Sequence, residues 1–497
     1  MQLKKQIYFT SFLIFIFFFF LNIGHYAYIN FNFSSDGFHY YSMMRNIAFH
    51  QSFYEGPVFE YFLGNHAYLI LIAFAPLVYI FESPLILLFL NLASIFISSF
   101  LLYAINLKIF KGLKESNSLS IFGSLSFLLH PIVVRNYFAS EYLFQPDILL
   151  CSGLLLMFYG FIYEKRYIFF FSIIFILFIK EEYVALFPFF YILCVVLTRI
   201  LELENKIILS RLCIFQTCLI YFACSIISVL TLFYFRELNA LNYVYQPHVI
   251  SFENIQNFYI LDFFYTFFKF VIPYIPIIIG NFFFFKVYKS KFQALKFTKV
   301  LSIVCLVIGL KMTENIFVYS NLDGTPWGNL MMVPAIFLCL SAMIKILIDD
   351  TNTSFIYTFI APVFFSIILI YSIYLPRYLT TRLTIEWITG VNSGHIQRSA
   401  IEIKRTLDSV TNNMIAEDKQ YFILPEHFLY PFMNKSHAPI RFINVNGVDK
   451  VNFVNNANAI VFRKTDNYEH FYKPFLTEFK VALETKNFRV YVTKEPR

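Results

Sequence analysis

Long apolar runs separated by short charged turns recur from the first residues to about residue 375, and this constrains the fold more than any other feature. About 20 apolar residues span the hydrocarbon of a bilayer. The first run extends from Ile7 to about Ile29 behind Lys4 and Lys5. It exceeds a signal-peptide core and no small-x-small cleavage site follows, so it reads as an uncleaved anchor. Further runs cover 84–106, 119–134, 147–163, 167–182, 183–198, 212–235, 265–285, 300–320, 329–348 and 354–375. Only 14% of the 497 residues are charged, against 58% hydrophobic, with a mean hydropathy of +0.63. A soluble protein carries roughly 25% charged residues. So few charges cannot cover a water-facing surface, which excludes an ordinary cytosolic enzyme, a disordered chain and a collagen-like fibre. The seven cysteines form no C-x-x-C pair, which argues against a disulfide framework and against a structural Cys zinc site. The net charge of +8 is dispersed, with no dense basic stretch beside aromatics, so no nucleic-acid partner is expected.

Lys and Arg placement orients the chain. With the N-terminus in the cytoplasm, the basic clusters at 108–114, 165–166, 199–211 and 286–299 all fall on the inner side. The outer side keeps only Arg45, Arg135, Lys180, Arg236 and Lys269 before residue 375. Residues 67–82, AYLILIAFAPLVYIFE, are apolar but short and contain Pro76. A full crossing there would invert every later assignment, so they read as a re-entrant or interfacial helix. The expectation is an all-α polytopic membrane domain over 1–375 with about eleven spans, in a range of ten to twelve, and a large first outer loop at 31–66.

After residue 376 the pattern changes. HIQRSAIEIKRTLDSVTNNMI repeats apolar residues at helical spacing, and β-rich runs follow at 420–424, 440–445, 459–463 and 489–493. A polar helix is predicted at about 467–486. Residues 376–497 therefore read as a small α/β domain outside the membrane. The chain contains no glycine-rich phosphate loop, no H-E-x-x-H and no G-x-S-x-G.

Ionisable residues near membrane depth are costly and mark functional sites by default. Asp36, just beyond the first run, either starts an interfacial helix as an N-cap or serves as an outer-face carboxylate that takes a proton or binds a metal. Glu60 and His66 flank Gly64-Asn65. His66 is an interfacial polar cap or, with Glu60, Asp36 and His39, part of a divalent cation site. HPIVVRNYFASEYLFQPDILL carries His130, Arg135, Glu141 and Asp147. Asp147 either caps the next helix or is a second active-site acid facing Asp36. Lys180-Glu181-Glu182 interrupt two apolar runs. They are the outer turn of a hairpin, snorkelling to water, or Lys180 binds a lipid-linked phosphate that Glu181 or Glu182 orients.

Three stretches then carry a resemblance. FEYFLGNHAYLI is similar to the F-L-G-D-H segment of the bacterial membrane family known as domain of unknown function 2079. SEYLFQPDILL stands in the place of its F-H-P-E segment, and IKEEYVAL resembles its K-E-D-x-A-L segment. Asn65 replaces the Asp beside His66, Gln145 replaces the His of F-H-P-E, Asp147 stands for its Glu, and Glu182 replaces Asp. The layout also looks like the C-type (GT-C) polytopic glycosyltransferases. That resemblance implies a polyprenyl-phosphate sugar donor and inverting transfer on the outer face of a bacterial cytoplasmic membrane. Asp36 would deprotonate the acceptor, Asp147 would hold the acceptor or a metal, and Lys180 with Arg135 would stabilise the departing phosphate. Glu141, Glu181, Glu182, Glu60 and His66 would support them. No organic cofactor is implied and a divalent metal stays open. The acceptor would be an envelope glycan, lipid or protein. A lipid or glycan transporter or flippase, and a non-catalytic envelope assembly protein, are the competing readings.

Overall fold

The computed structural model describes residues 2–29, 36–53, 61–64, 66–81, 83–113, 116–130, 133, 144–203, 208–238, 295–296, 298–308, 332–350, 402–403, 405–406, 421–424, 440–442, 457–464, 473–485 and 488–494. The helices are α1 (Gln2–Ile29), α2 (Asp36–His50), α3 (Leu69–Phe81), α4 (Leu85–Ile109), α5 (Ser116–Leu128), α6 (Leu149–Ile162), α7 (Arg166–Ile179), α8 (Glu182–Ile200), α9 (Arg211–Leu238), α10 (Thr298–Ile308) and α11 (Met332–Asp350). Four of them, α1, α4, α8 and α9, are long and apolar enough to cross a membrane. Of the others, α5, α6 and α7 have 13, 14 and 14 residues. The expected spans at 265–285 and 354–375 lie outside the described residues.

Two expected spans end early, for local reasons. The 119–134 run leaves the helix after Leu128, because Pro131 disfavours helical backbone at the residue before it. The 167–182 run stops at Ile179, because Lys180 adopts extended backbone (φ −161°, ψ 145°).

The α1–α4 pair decides how the short segment between them is used. Gly24 lies against Leu88, Phe17 meets Phe89 and Phe96 at 5.5 and 5.6 Å, and Phe9 meets Tyr103 at 4.8 Å. The two helices are therefore antiparallel, and α4 starts at the end where α1 finishes. The intervening α2 and α3 add no net crossing. At about 1.5 Å per residue the 13-residue α3, with Pro76 inside it, is about 20 Å long, less than the roughly 30 Å of a bilayer core.

Small polar residues let the helices approach closely, the usual device where lipid removes any hydrophobic drive to pack. Ser94 Oγ donates to the Ile148 carbonyl at 3.0 Å and lies 3.1 Å from Ser152 Oγ, joining α4 to α6. The Ser99 and Ser124 hydroxyls meet at 2.6 Å between α4 and α5. The α6–α7 hairpin closes on Gly160, where an added Cβ would sit 2.7 Å from Phe169 N. The turns with Lys108, Lys111, Lys165 and Arg166 gather at one end of this bundle. The other end holds the start of α2 and the α7–α8 turn.

Five strands form one sheet in the C-terminal region: β1 (Tyr421–Leu424), β2 (Ile440–Phe442), β3 (Ala457–Arg463), β4 (Phe479–Glu484) and β5 (Phe488–Thr493), in the order β2-β1-β3-β5-β4. β1 runs parallel to β2 and β3, whereas β3–β5 and β4–β5 are antiparallel. The polar helix predicted at 467–486 is not formed: Lys473–Phe475 is a single 3-10 turn and Phe479–Glu484 is a strand. Pairing with β5 overrides the local preference, as is common for strands. Glu484 anchors this edge, accepting from Lys464 at 2.7 Å and Arg489 at 2.8 Å. These two bonds outweigh desolvation and hold its carboxyl at about 2.

Candidate active site

Three sequence-distant segments meet at the bundle end away from the Lys-rich turns. The first leads into α3. A 3-10 turn at Phe62–Gly64 delivers His66, Ala67 and Tyr68, with Ala67 and Tyr68 buried. The second precedes α6. Gln145 is extended, as expected before proline, and Pro146–Ile148 form a 3-10 turn. The third is the α7–α8 turn, where extended Lys180 gives way to Glu181 and to Glu182 at the start of α8. Two carboxylates there face the positive end of that helix.

Glu181 joins the first and third segments across more than a hundred residues. Its Oε1 lies 2.8 Å from His66 Nδ1, and its Oε2 accepts from the Ala67 N–H at 2.8 Å. Burial acts to raise the Glu181 carboxyl, but the His66 hydrogen bond and charge, the Lys180 ammonium and a backbone hydrogen bond prevail and hold it below its ordinary value. Lys180 joins the third segment to the second: its Nζ is 2.9 Å from Glu182 Oε2 and 4.0 Å from Asp147 Oδ1. The Tyr183 hydroxyl donates to the same Asp147 oxygen. From α2, the Tyr40 hydroxyl donates to Gln145 Oε1 at 2.6 Å, and its ring stands edge-on to Tyr68 at 5.5 Å.

Of the residues singled out from sequence, His66, Asp147, Lys180, Glu181 and Glu182 come together. Asp36 is the first residue of α2, so the helix expected to start there does form. Its side chain, Glu60, Arg135 and Glu141 lie outside the described residues. Asp147 lies in the first turn leading into α6, and its carboxylate is 5% exposed and engaged by Tyr183. One plain reading is corrected. Lys180 does not snorkel outward: it is 5% exposed and turned toward Glu182. Sequence reasoning missed Tyr40, Gln145 and Tyr183 as site members. Tyr183 directly follows the three charges and offered a signal, but Tyr40 is one of 35 tyrosines.

Among the described residues, donor atoms of His66, Glu181 and Glu182 lie within 4.8 Å of one another and could hold a metal ion. This differs from the set Asp36, His39, Glu60 and His66 expected from sequence. Beside this group, Glu182 and Asp147 lie within 4.0 Å of the Lys180 ammonium. The arrangement suits binding a cation, orienting a hydroxyl, or moving a proton at an apolar boundary.

Fold and site together define a mostly helical, multi-pass membrane protein with an acid–base cluster at one end of its bundle. Two solved structures align with it along almost its whole length. The crystal structure of ArnT from Cupriavidus metallidurans bound to undecaprenyl phosphate matches with a TM-score of 0.48 and 10% identity, covering 96% of this chain and 97% of that one. ArnT from the same organism in the apo state matches with a TM-score of 0.48 and 12% identity, covering 97% and 98%. No family model matches the chain, and no curated protein matches it.

Proposed function

We propose that the chain is a GT-C-like glycosyltransferase of the bacterial cytoplasmic membrane, with an inner N-terminus and an outer C-terminal domain. It transfers a sugar from a polyprenyl phosphate to an envelope acceptor on the outer face. One observation carries this reading: three segments far apart in sequence bring His66, Asp147, Lys180 and Glu181 into a single cluster. Such convergence of ionisable groups at a membrane boundary is expensive without a chemical purpose.

In the proposed reaction the acceptor oxygen attacks the anomeric carbon from the face opposite the phosphate. The carbon–oxygen bond to phosphate breaks and its electron pair leaves with the phosphate. Asp36 takes the acceptor proton, and Asp147, held by Tyr183, positions the acceptor. Lys180 and Arg135 stabilise the growing phosphate charge. Glu141, Glu181, Glu182, Glu60 and His66 support the cluster, and the C-terminal domain contributes to acceptor binding. Membranes carrying either the native chain or Asp36→Asn, supplied with a polyprenyl-phosphate sugar, provide the test. Asn keeps the shape and the capping ability of Asp but not its basicity. Transfer is expected to fall by about 10²–10⁴-fold while the protein stays folded. Equal rates would remove Asp36 from the mechanism and favour the transporter reading.

A further inference from the structure

Lys180 is the puzzle of the site. A lysine meant to meet a phosphate should face it, yet this one lies buried with its ammonium 2.9 Å from Glu182 and 4.0 Å from Asp147. The fold thus already places a cation in the cluster, supplied by its own chain. Beside that ammonium, His66 Nδ1 and Glu181 Oε1 sit 2.8 Å apart, and a Glu182 oxygen lies within 4.8 Å of both partners' donor atoms. Two ligands at about 2.0–2.1 Å from a tetrahedral ion are about 3.3 Å apart. The His66–Glu181 pair therefore needs to open by about 0.5 Å and the Glu182 oxygen to move in for the three donors to close on one ion.

We infer that His66, Glu181 and Glu182 bind a divalent cation, and that Lys180 is its built-in competitor for Glu182. One imidazole nitrogen and two carboxylates suit Zn²⁺ or Mn²⁺. Three protein ligands with a fourth position open are the form of a site that also binds substrate oxygen. The ion replaces the proton between His66 and Glu181, which leaves to water, and draws on the Glu182 carboxylate that Lys180 now holds. Like charges then drive the ammonium off Glu182. Lys180 moves to Asp147 or to an anion bound at the ion. The exchange makes the cluster receptive to phosphate only when the ion is in place. This rests on the transferase reading for the phosphate, but the ion site and its competitor stand on the geometry alone.

The test uses the purified full chain in detergent, stripped with a chelator, and titrated calorimetrically with Zn²⁺ alone and then Mn²⁺ alone. One ion per chain is expected. Glu182→Gln and His66→Gln should each weaken binding at least about tenfold, whereas Lys180→Met, which removes the competitor and keeps the stem, should tighten it by roughly tenfold. A melting curve without ion identifies any variant that has lost its fold. If Lys180→Met is unfolded, Lys180→Gln takes its place with the same expected tightening. No binding by the native chain, binding unmoved by Glu182→Gln and His66→Gln, or weaker binding by the folded Lys180 variant would each overturn the inference. Chelator-resistant sugar transfer alongside absent ion binding would sink the ion site and leave the transferase reading standing. Ion binding without transfer would do the reverse.

Discussion

The link between Glu181 and His66 is where a stability measurement tests the whole site. Glu181→Ala removes both acceptors at once. It strands the Ala67 N–H, which is fully buried, and the His66 ring nitrogen, which belongs to a side chain 23% exposed. An unsatisfied buried polar group costs about 1–3 kcal/mol, and His66 regains part of its share from water, so the expected loss is about 2–4 kcal/mol. Glu181→Gln behaves differently. Its amide oxygen can still accept from Ala67, and its amide N–H₂ can donate to His66 in the other tautomer. Only the charge assistance disappears, roughly half the strength of such bonds, or about 1 kcal/mol. The order is therefore native, then Gln, then Ala. Combining Glu181→Ala with His66→Ala should leave a coupling energy of about 1–2 kcal/mol, within the range for residues in contact. Reversible unfolding in mixed micelles, with chelator present to keep metal out, measures all five proteins, the His66→Ala single variant included. Additivity within about 0.3–0.5 kcal/mol, as for distant sites, would show that the two side chains do not touch. The contact between the first and third segments would then fall with them.

Two further outcomes follow from the bundle. Gly160→Ala would push a methyl to within 2.7 Å of the Phe169 backbone nitrogen and 2.9 Å of its Cα; because backbone cannot swing aside, the α6–α7 hairpin should lose about 1–3 kcal/mol in the same assay, and an unchanged midpoint would refute the close approach. Reporter fusions after Lys291 should behave as cytoplasmic and those after Arg382 as outer-facing, and the opposite pattern would overturn the proposed orientation.

The sequence by itself determined the class of protein. Hydropathy and charge are summed along the chain, so the long apolar runs of α1, α4, α8 and α9 were legible without any contact being known. The placement of Lys108, Lys111 and Lys114 suggested that residues 67–82 do not cross, and the antiparallel packing of α1 on α4 leaves no net crossing between those two helices. The segments of the candidate site were legible as costly charges at apolar boundaries. Only the tertiary structure decided which of them meet. Glu181 reaches His66 and Ala67, Tyr183 reaches Asp147, and Tyr40 reaches Gln145, because helix packing brings together the ends of segments 36 to 115 residues apart. No local pattern encodes such a distance. The same holds for Lys180: its sequence neighbours suggest a solvated turn, and the extended backbone at that residue turns it inward instead. In the C-terminal region, Phe479–Glu484 reads locally as helix and becomes a strand because β5 offers it an edge. Periodicity reports what a segment would bury, whereas the partner that buries it is chosen by the rest of the chain.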